Sequence, residues 1–142
     1  MEFYVCSRQS AKRMSYKLKV PTLIVSITDI VSCPNSFGEN PNIKAICRVT
    51  FDDVDPHYEV KCSNAMTEKD AEKIKSYVER YKDKVDCIIV HCEAGISRSS
   101  GVMAAIQKYL IGSDEAIFNN AKYCPNMHCY KMMLEQFFGK II

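Results

Sequence analysis

An apolar segment that leads directly into a loop of small residues is the feature that most constrains the fold of this chain. Cys87-Ile88-Ile89-Val90 is continuously apolar, which is typical of a strand covered on both faces. His91 and Cys92 follow, then a loop with one glycine, and then a segment over 102–110 whose apolar residues share a helical face. A strand, a loop and a helix in this order predict a layered α/β fold built around residues 85–110.

Strand-like and helix-like segments alternate along the chain. Strands are predicted over residues 2–6, 23–27, 43–51 and 85–90. Helices are predicted to begin near Ser10, Thr67, Arg98, Ser113 and Asn126, and the one from Ser113 is predicted to include Ala121. Thr67 and Asp70 have capping-box spacing, and Gly112 has the position of a left-handed cap. The alternation predicts an α/β fold with a mainly parallel central sheet flanked by helices on both faces.

Length and charge argue against several classes of function. A chain of 142 residues is predicted to form a single domain over residues 1–142. Its net charge of +2 is too small to indicate nucleic acid or an anionic membrane surface as a partner. The longest apolar-leaning run, residues 20–27, is far shorter than a membrane span. We therefore expect a monomer that binds neither nucleic acid nor membranes.

The eight cysteines are not preceded by a signal peptide, so they indicate a reducing, cytoplasmic setting and not a disulfide framework. No CxxC occurs, and the spacing of Cys124, His128 and Cys129 fits no common ligand set. We therefore expect neither a metal nor another cofactor. Several cysteines are interpreted as packing residues, and a role for one of them as redox partner of Cys92 stays open. These are Cys47, Cys62, Cys87, Cys124 and Cys129.

The loop after the central strand has the composition of an anion-binding site around a nucleophile. A cysteine attacks as its thiolate, and loop amides, a helix N-terminus and the Arg98 guanidinium all supply positive charge that favours that form. The same groups bind phosphate, and Arg98 can hold two phosphate oxygens. Ala94 and Gly95 keep the loop free of bulk, and glycine permits backbone angles that let successive amides converge on one anion. The nucleotide-binding motif GxxxxGK is absent.

A second group of reactive side chains follows the predicted strand over 43–51. Asp52, Asp53 and Asp55 lie in the acidic loop that precedes Pro56 and His57. Because binding sites in parallel sheets form at the carboxyl ends of strands, this loop and the Cys92 loop are expected to meet. A carboxylic acid there can protonate a leaving group, and the residues alone leave the choice among the three aspartates open.

His91-Cys92-Glu93-Ala94-Gly95-Ile96-Ser97-Arg98-Ser99 resembles the HCxxGxxR(S/T) signature of cysteine-dependent protein tyrosine phosphatases. The small dual-specificity members are the most similar in size and layout. Phe51-Asp52-Asp53 through Pro56 is similar to the F-(D/E)-D…P general-acid loop of regenerating-liver and phosphoinositide-type relatives. Pro125-Asn126 is similar to the pair that opens the last helix in many dual-specificity phosphatases.

The resemblance implies a fold, a reaction and a set of roles. Cys92 would form a thiophosphate intermediate, Ser99 would assist its breakdown, and His91 would orient the loop and tune the thiolate. Asp53 is the aspartate favoured as general acid. The implied substrate is a phosphorylated protein or peptide carrying phosphotyrosine, and phosphoserine or phosphothreonine is a further option. The phosphate would be held by Glu93, Ala94, Gly95, Ile96, Ser97 and Arg98.

Two alternatives remain at this point. Rhodanese-like sulfur transfer and arsenate reduction also use a cysteine in an anion-binding loop, and a non-catalytic phosphopeptide-binding module would keep the loop without turnover. The aspartate loop and His91 favour a phosphatase over sulfur chemistry. Glu93 and the absence of lysine from the loop argue against a polyphosphorylated lipid as substrate.

Overall fold

The structure is a computed structural model that describes residues 1–58 and 64–140. The described ranges contain four strands and five helices. The strands are β1 (Glu2–Ser7), β2 (Thr22–Thr28), β3 (Ile43–Thr50) and β4 (Cys87–Cys92). The helices are α1 (Arg8–Ser15), α2 (Glu68–Tyr81), α3 (Arg98–Ile111), α4 (Glu115–Phe118) and α5 (Met127–Phe138).

The four strands form one sheet in the order β1-β4-β2-β3, and every pair is parallel. This confirms the predicted α/β fold. Val90 of β4 pairs with Val5 of β1 and with Val25 of β2, so β4 lies inside the sheet. Because all strands point the same way, the segments that leave their carboxyl ends meet at one edge. That edge carries Cys92, Arg8, Asp29 and Phe51.

Helices cover both faces of the sheet, as predicted. On one face, Ala11 of α1 packs with Ile24, Cys87 and Ile89. The larger core on the other face joins side chains of β2 and β4 to α2, α3 and α5. Every residue of β2 and β4 is buried, which explains why the sequence of β4 is a continuous apolar run and not an alternating one.

Three predicted helix ends are confirmed, each with its local cap, whereas α1 begins at Arg8 after the N-cap Ser7 and not at Ser10. At α2, the Thr67 hydroxyl accepts a hydrogen bond from the Asp70 amide, and the Asp70 carboxylate accepts one from the Thr67 amide. Gly112 ends α3 in the left-handed region at φ 77°. Asn126 caps α5, where its side chain accepts a hydrogen bond from the Cys129 amide at 3.1 Å.

Two other boundaries differ from the predictions. β4 runs from Cys87 to Cys92, not from Val85, since the Val85 amide still bonds to Tyr81 at the end of α2 while Ser7 of β1 pairs with Cys92. The short helix predicted from Ser113 is present, but its cap and its end were wrong: the N-cap of α4 is Asp114, and the helix ends at Phe118 and so excludes Ala121. The helix closes where the Asn119 amide bonds back to Glu115.

The cysteines of the described residues range from buried to exposed. Cys47, Cys87 and Cys129 are buried, as expected of packing residues, whereas Cys124 is exposed and does not pack in the core. Cys62 lies outside the described residues. Among the cysteines of residues 1–58 and 64–140, all are free thiols. No helix in these ranges combines the length and apolarity that crossing a membrane requires.

Candidate active site

The sulfur of Cys92 lies at the base of a loop formed by residues 92–98, here called the Cys92 loop. Cys92 is the last residue of β4 and is buried, with 2% of its surface exposed. Its Sγ accepts a hydrogen bond from the Gly95 amide at 3.3 Å and lies 3.1 Å from the Ser99 hydroxyl. The Gly95 amide is a fixed donor to the sulfur, and the Ser99 hydroxyl can also donate to it.

Gly95 brings the Cys92 loop against the junction of β1 and α1. It has a φ of +74°, and a Cβ built on it would lie 2.4 Å from the carbonyl carbon of Cys6 and 2.5 Å from the Ser7 amide nitrogen. A side chain at this position would therefore meet backbone atoms, which cannot move aside as a flexible side chain does. The close approach and the positive φ each require glycine.

Neighbouring elements hold the loop on both sides. The Arg8 amide donates to the Glu93 carbonyl at 3.2 Å, and the Arg8 guanidinium contacts the Glu93 carboxylate at 3.4 Å. On the other side, the Asn126 amide donates to the Ser97 carbonyl at 3.0 Å. Ala94 and Ile96 are exposed at the rim. The loop is thus fixed by its backbone, and its exposed residues are small or apolar.

Arg98 is buried next to the loop, with 4% of its surface exposed. Its Nη1 donates to the Asp29 carboxylate and to the Phe51 carbonyl, both at 2.7 Å. Its Nε is also buried and has no hydrogen-bond partner among the described residues. A buried donor without an acceptor is unfavourable, and an oxyanion bound in the loop would supply that acceptor.

The structure places the three candidate aspartates in different environments. Asp53 contacts the Cys92 loop: its Oδ1 accepts hydrogen bonds from the Ser97 hydroxyl at 2.8 Å and from the Asn126 side-chain amide at 3.0 Å. Asp52 instead accepts from the Ile30 amide at 3.1 Å, and Asp55 accepts from the His57 amide at 3.0 Å. Only Asp53 of the three is bonded to a residue of the loop that holds Cys92 in the described structure.

Asn126 joins three parts of this site. Its side-chain nitrogen donates to Asp53 and, at 3.1 Å, to the Val54 carbonyl, while its side-chain oxygen caps α5. Gly101 of α3 makes this approach possible, since a Cβ there would lie 2.5 Å from the Asn126 carbonyl oxygen. The acidic loop, the Cys92 loop and α5 are therefore linked through one side chain.

His91 is buried directly under the Cys92 loop. Its Nε2 lies 2.6 Å from the Ser26 hydroxyl, and its Nδ1 lies 3.1 Å from the Cys92 carbonyl oxygen. Burial lowers the pKa of His91 to about 4, and the charges of Arg8, Arg48 and Arg98 act in the same direction. The ring is therefore neutral near pH 7. Since a carbonyl oxygen only accepts, the proton lies on Nδ1 and Nε2 accepts from Ser26.

The neutral His91 predicts a specific dependence of stability on pH. In the unfolded chain its pKa is near 6.5, so between that pH and about 4 only the unfolded state takes up the proton. The stabilisation is complete above the unfolded pKa and is lost as pH falls. Between pH 7 and pH 5 we expect His91 to contribute a loss of about 2 kcal/mol in the free energy of unfolding.

Urea unfolding of the wild type and His91→Gln at both pH values measures this contribution. The variant should show a smaller difference between the two pH values, and the exposed His57→Gln should match the wild type. Equal pH dependence in all three proteins would contradict a neutral, buried His91.

Several residues of the site were not predicted as functional from sequence. Asp29 was assigned no role, and Asn126 was assigned only as the start of a helix. Ser26 was read as part of a strand, although its hydroxyl contacts His91. Asp29 could have been found, because it follows β2 at the same edge at which Cys92 ends β4.

Cys124, His128 and Cys129, which lie close together in sequence, have different environments in the structure. His128 bonds to the Met66 carbonyl at 2.8 Å, while Cys129 is buried in the core and Cys124 is exposed. Within residues 1–58 and 64–140, no three histidine, cysteine, aspartate or glutamate side chains come together as a set of metal ligands.

Comparison with solved structures identifies the class of fold. The described architecture is that of dual specificity phosphatases, which agrees with the resemblance of the Cys92 motif. Human DUSP28 matches with a TM-score of 0.60 and 19% identity, over 94% of this chain and 90% of that one. A human tyrosine phosphatase-like serine/threonine/tyrosine-interacting protein matches with a TM-score of 0.65 and 16% identity, over 94% and 89%. PTPMT1 in complex with PI(5)P matches with a TM-score of 0.59 and 14% identity, over 96% and 90%.

No protein-family model matches the sequence. No curated protein matches it either. The similarity to solved structures is thus a similarity of fold, and the chemistry has to be argued from the side chains of this chain.

Proposed function

We propose that this chain is a cysteine-dependent phosphomonoesterase of the dual-specificity type, acting on phosphotyrosine in proteins or peptides. The observation that carries the proposal is the environment of Cys92. A buried sulfur, a backbone amide and a hydroxyl within 3.3 Å of it, and a buried guanidinium nitrogen with no partner among the described residues lie around one loop. This combination suits a nucleophile and a tetrahedral oxyanion together.

In the first step the Cys92 thiolate attacks phosphorus. A sulfur–phosphorus bond forms, the ester phosphorus–oxygen bond breaks, and its electron pair passes to the leaving oxygen. The amides of the Cys92 loop and the Arg98 guanidinium stabilise the charge on the equatorial oxygens. Gly95 supplies an amide that already points at the sulfur. The product at this stage is a thiophosphate on Cys92 and a leaving group that needs a proton.

Asp53 supplies that proton. Its Oδ1 accepts both hydrogen bonds, from Ser97 and Asn126, which leaves Oδ2 to carry the proton towards the leaving oxygen. In the second step the same carboxylate takes a proton from the water that attacks phosphorus. The sulfur–phosphorus bond breaks, and the electron pair returns to sulfur. The Ser99 hydroxyl, 3.1 Å from Sγ, stabilises the departing thiolate.

His91 supports the loop without taking part in proton transfer. It donates from Nδ1 to the Cys92 carbonyl and so fixes the backbone from which the nucleophile projects. Its lowered pKa keeps it neutral over the working range of a cytoplasmic enzyme. The roles of His91 and Cys92 are thereby separated: one orients and the other reacts.

The proposed substrate is a phosphoprotein and not a phosphoinositide, although PTPMT1 has this fold and was solved with PI(5)P. The Cys92 loop contains no lysine, and its one charged residue ahead of Arg98 is Glu93. Additional phosphate groups on a headgroup would meet that carboxylate. Phosphoserine and phosphothreonine remain further substrates to test.

A metal-free aryl phosphate assay tests the proposed activity. The purified protein should hydrolyse an aryl phosphate in the presence of a chelator, and vanadate should inhibit it. Sulfur transfer from thiosulfate without phosphate release would favour rhodanese-like chemistry. Binding of a phosphotyrosine peptide with no turnover of either substrate would favour a non-catalytic binding module. Either result would overturn the proposal.

If Asp53 is the general acid, the effect of removing it should depend on how much the leaving group needs a proton. Asp53→Asn should lower kcat about 100-fold for an alkyl or phenyl phosphate, and much less for a nitrophenyl ester whose leaving group needs no proton. Asp52→Asn and Asp55→Asn are the matched controls and should stay within about 5-fold of the wild type on both substrates. The loss of the basic limb of the kcat against pH profile in Asp53→Asn would support the role. A larger loss in either control would move the role to that aspartate.

A further inference from the structure

Asp29 is the one carboxylate of the described residues that forms an ion pair with the buried Arg98. Its Oδ1 lies 2.7 Å from Nη1 of Arg98, whose side chain is 5% exposed, while that of Asp29 is 35% exposed. The two residues are separated by 69 positions in sequence and come from the carboxyl end of β2 and the first turn of α3. The fold therefore brings together two residues that are far apart in sequence.

The geometry of the pair determines which edge of the guanidinium is free. Nη1 donates to both Asp29 and the Phe51 carbonyl. These two acceptors leave the opposite edge, with Nε and Nη2, as the fork that two phosphate oxygens can occupy. Nε is buried without a partner among residues 1–58 and 64–140, as expected for a donor reserved for a ligand.

The backbone on either side of Asp29 is itself fixed. The Asp29 carbonyl accepts from the Ser32 amide at 3.0 Å in a tight turn. The next amide, that of Ile30, donates to the Asp52 carboxylate at 3.1 Å. The turn after β2 thus contacts the acidic loop through Ile30 and the Cys92 loop through Asp29, so its carboxylate has a defined position relative to both.

We propose that Asp29 is a positioning residue for the phosphate-binding arginine. It neutralises Arg98 when no substrate is bound and holds the guanidinium with its Nε–Nη2 edge towards the Cys92 loop. Without this partner, the buried Arg98 guanidinium would turn towards water or other acceptors. The guanidinium would then have to return to its binding orientation in each turnover. This inference rests on the proposed function for its kinetic meaning, whereas the ion pair and its effect on anion binding do not depend on turnover.

The test is a double-mutant cycle on aryl phosphate hydrolysis with Asp29→Ala, Arg98→Ala and the double variant. Because Asp29 acts through Arg98, Asp29→Ala should lower kcat/KM about 50-fold in the wild-type background and less than about 2-fold in the Arg98→Ala background. Asp29→Asn retains an oxygen acceptor for Nη1 and should stay within about 5-fold of the wild type. Asp83→Ala, at an exposed carboxylate near the end of α2, is the control and should show no change.

A second measurement separates this inference from the proposed function. Inorganic phosphate should raise the Tm of the wild type and of Asp83→Ala, and the rise should be largely lost in Asp29→Ala. This readout applies even if the protein hydrolyses no phosphate ester, in which case only the proposed function fails. It also uses each variant's own Tm without phosphate as reference, so a lower stability of Asp29→Ala does not disguise the result. Equal losses from Asp29→Ala with and without Arg98, or an unchanged phosphate shift, would overturn the positioning role.

Discussion

Cys92→Ser is expected to lower turnover of an aryl phosphate by on the order of 10⁴-fold or more while preserving binding of phosphate. A serine hydroxyl is not ionised at neutral pH, and its oxygen has neither the reach nor the nucleophilicity of a thiolate. The Gly95 amide, Ser99 and Arg98 remain in place, because the two side chains differ by one atom. The anion site should therefore survive the loss of the nucleophile.

Two measurements on the same protein check this expectation. Single-turnover and steady-state assays should show no phosphate release, and a phosphotyrosine peptide should bind Cys92→Ser with an affinity close to the KM of the wild type. Cys33→Ser, at an exposed cysteine outside the site, is the matched control and should retain full activity. Substantial turnover in Cys92→Ser would show that another group attacks phosphorus.

Gly95→Ala is expected to cost about 3–5 kcal/mol of folding free energy, the largest effect on stability among the substitutions considered. Both a positive φ and a backbone contact are involved, since the added Cβ would lie 2.4 Å from the Cys6 carbonyl carbon. The strain cannot be relieved by a side-chain rotation. Relief would require the Cys92 loop to separate from β1, which would also move the amide that bonds to Sγ.

Gly112→Ala separates the cost of a positive φ from the cost of the backbone contact. Gly112 has nearly the same φ, +77°, but a Cβ there has nothing within 4 Å. Its substitution should cost about 1 kcal/mol and leave activity unchanged. Urea unfolding of both variants gives the comparison, with the slope of the transition monitored so that stability alone is compared. Similar costs in the two variants would mean that the loop does not press on β1 as the structure describes.

The sequence predicted those features that neighbouring residues determine. Thr67 and Asp70 are three residues apart, and the Gly112 amide bonds to Lys108, one turn earlier in α3. The start of α2 and the end of α3 were therefore predicted correctly. The central strand was recognised because burial on both faces leaves a continuous apolar run. Cys92 and Arg98 were assigned to one site because a single loop contains them. In each case the deciding interaction lies within a few residues.

What the sequence did not predict depends on contacts between distant segments. The residues alone did not distinguish Asp52, Asp53 and Asp55, although the family resemblance favoured Asp53. In the structure they differ because Ile30, Ser97 and the local turn bond to different members. The partnership of Asp29 with Arg98 requires β2 and α3 to meet at one edge. Cys124 was assigned to the core by residue type, although the turn before α5 leaves it exposed.

The hydrogen bonds of Asn126 limit which residue can occupy that position. One short side chain must donate to Asp53 and Val54 while it accepts from the Cys129 amide. Aspartate lacks the donors, serine cannot bridge both sides, and glutamine is too long for the cap. Asparagine meets all three requirements, so a substitution at position 126 would disturb the start of α5 and the orientation of the acidic loop together.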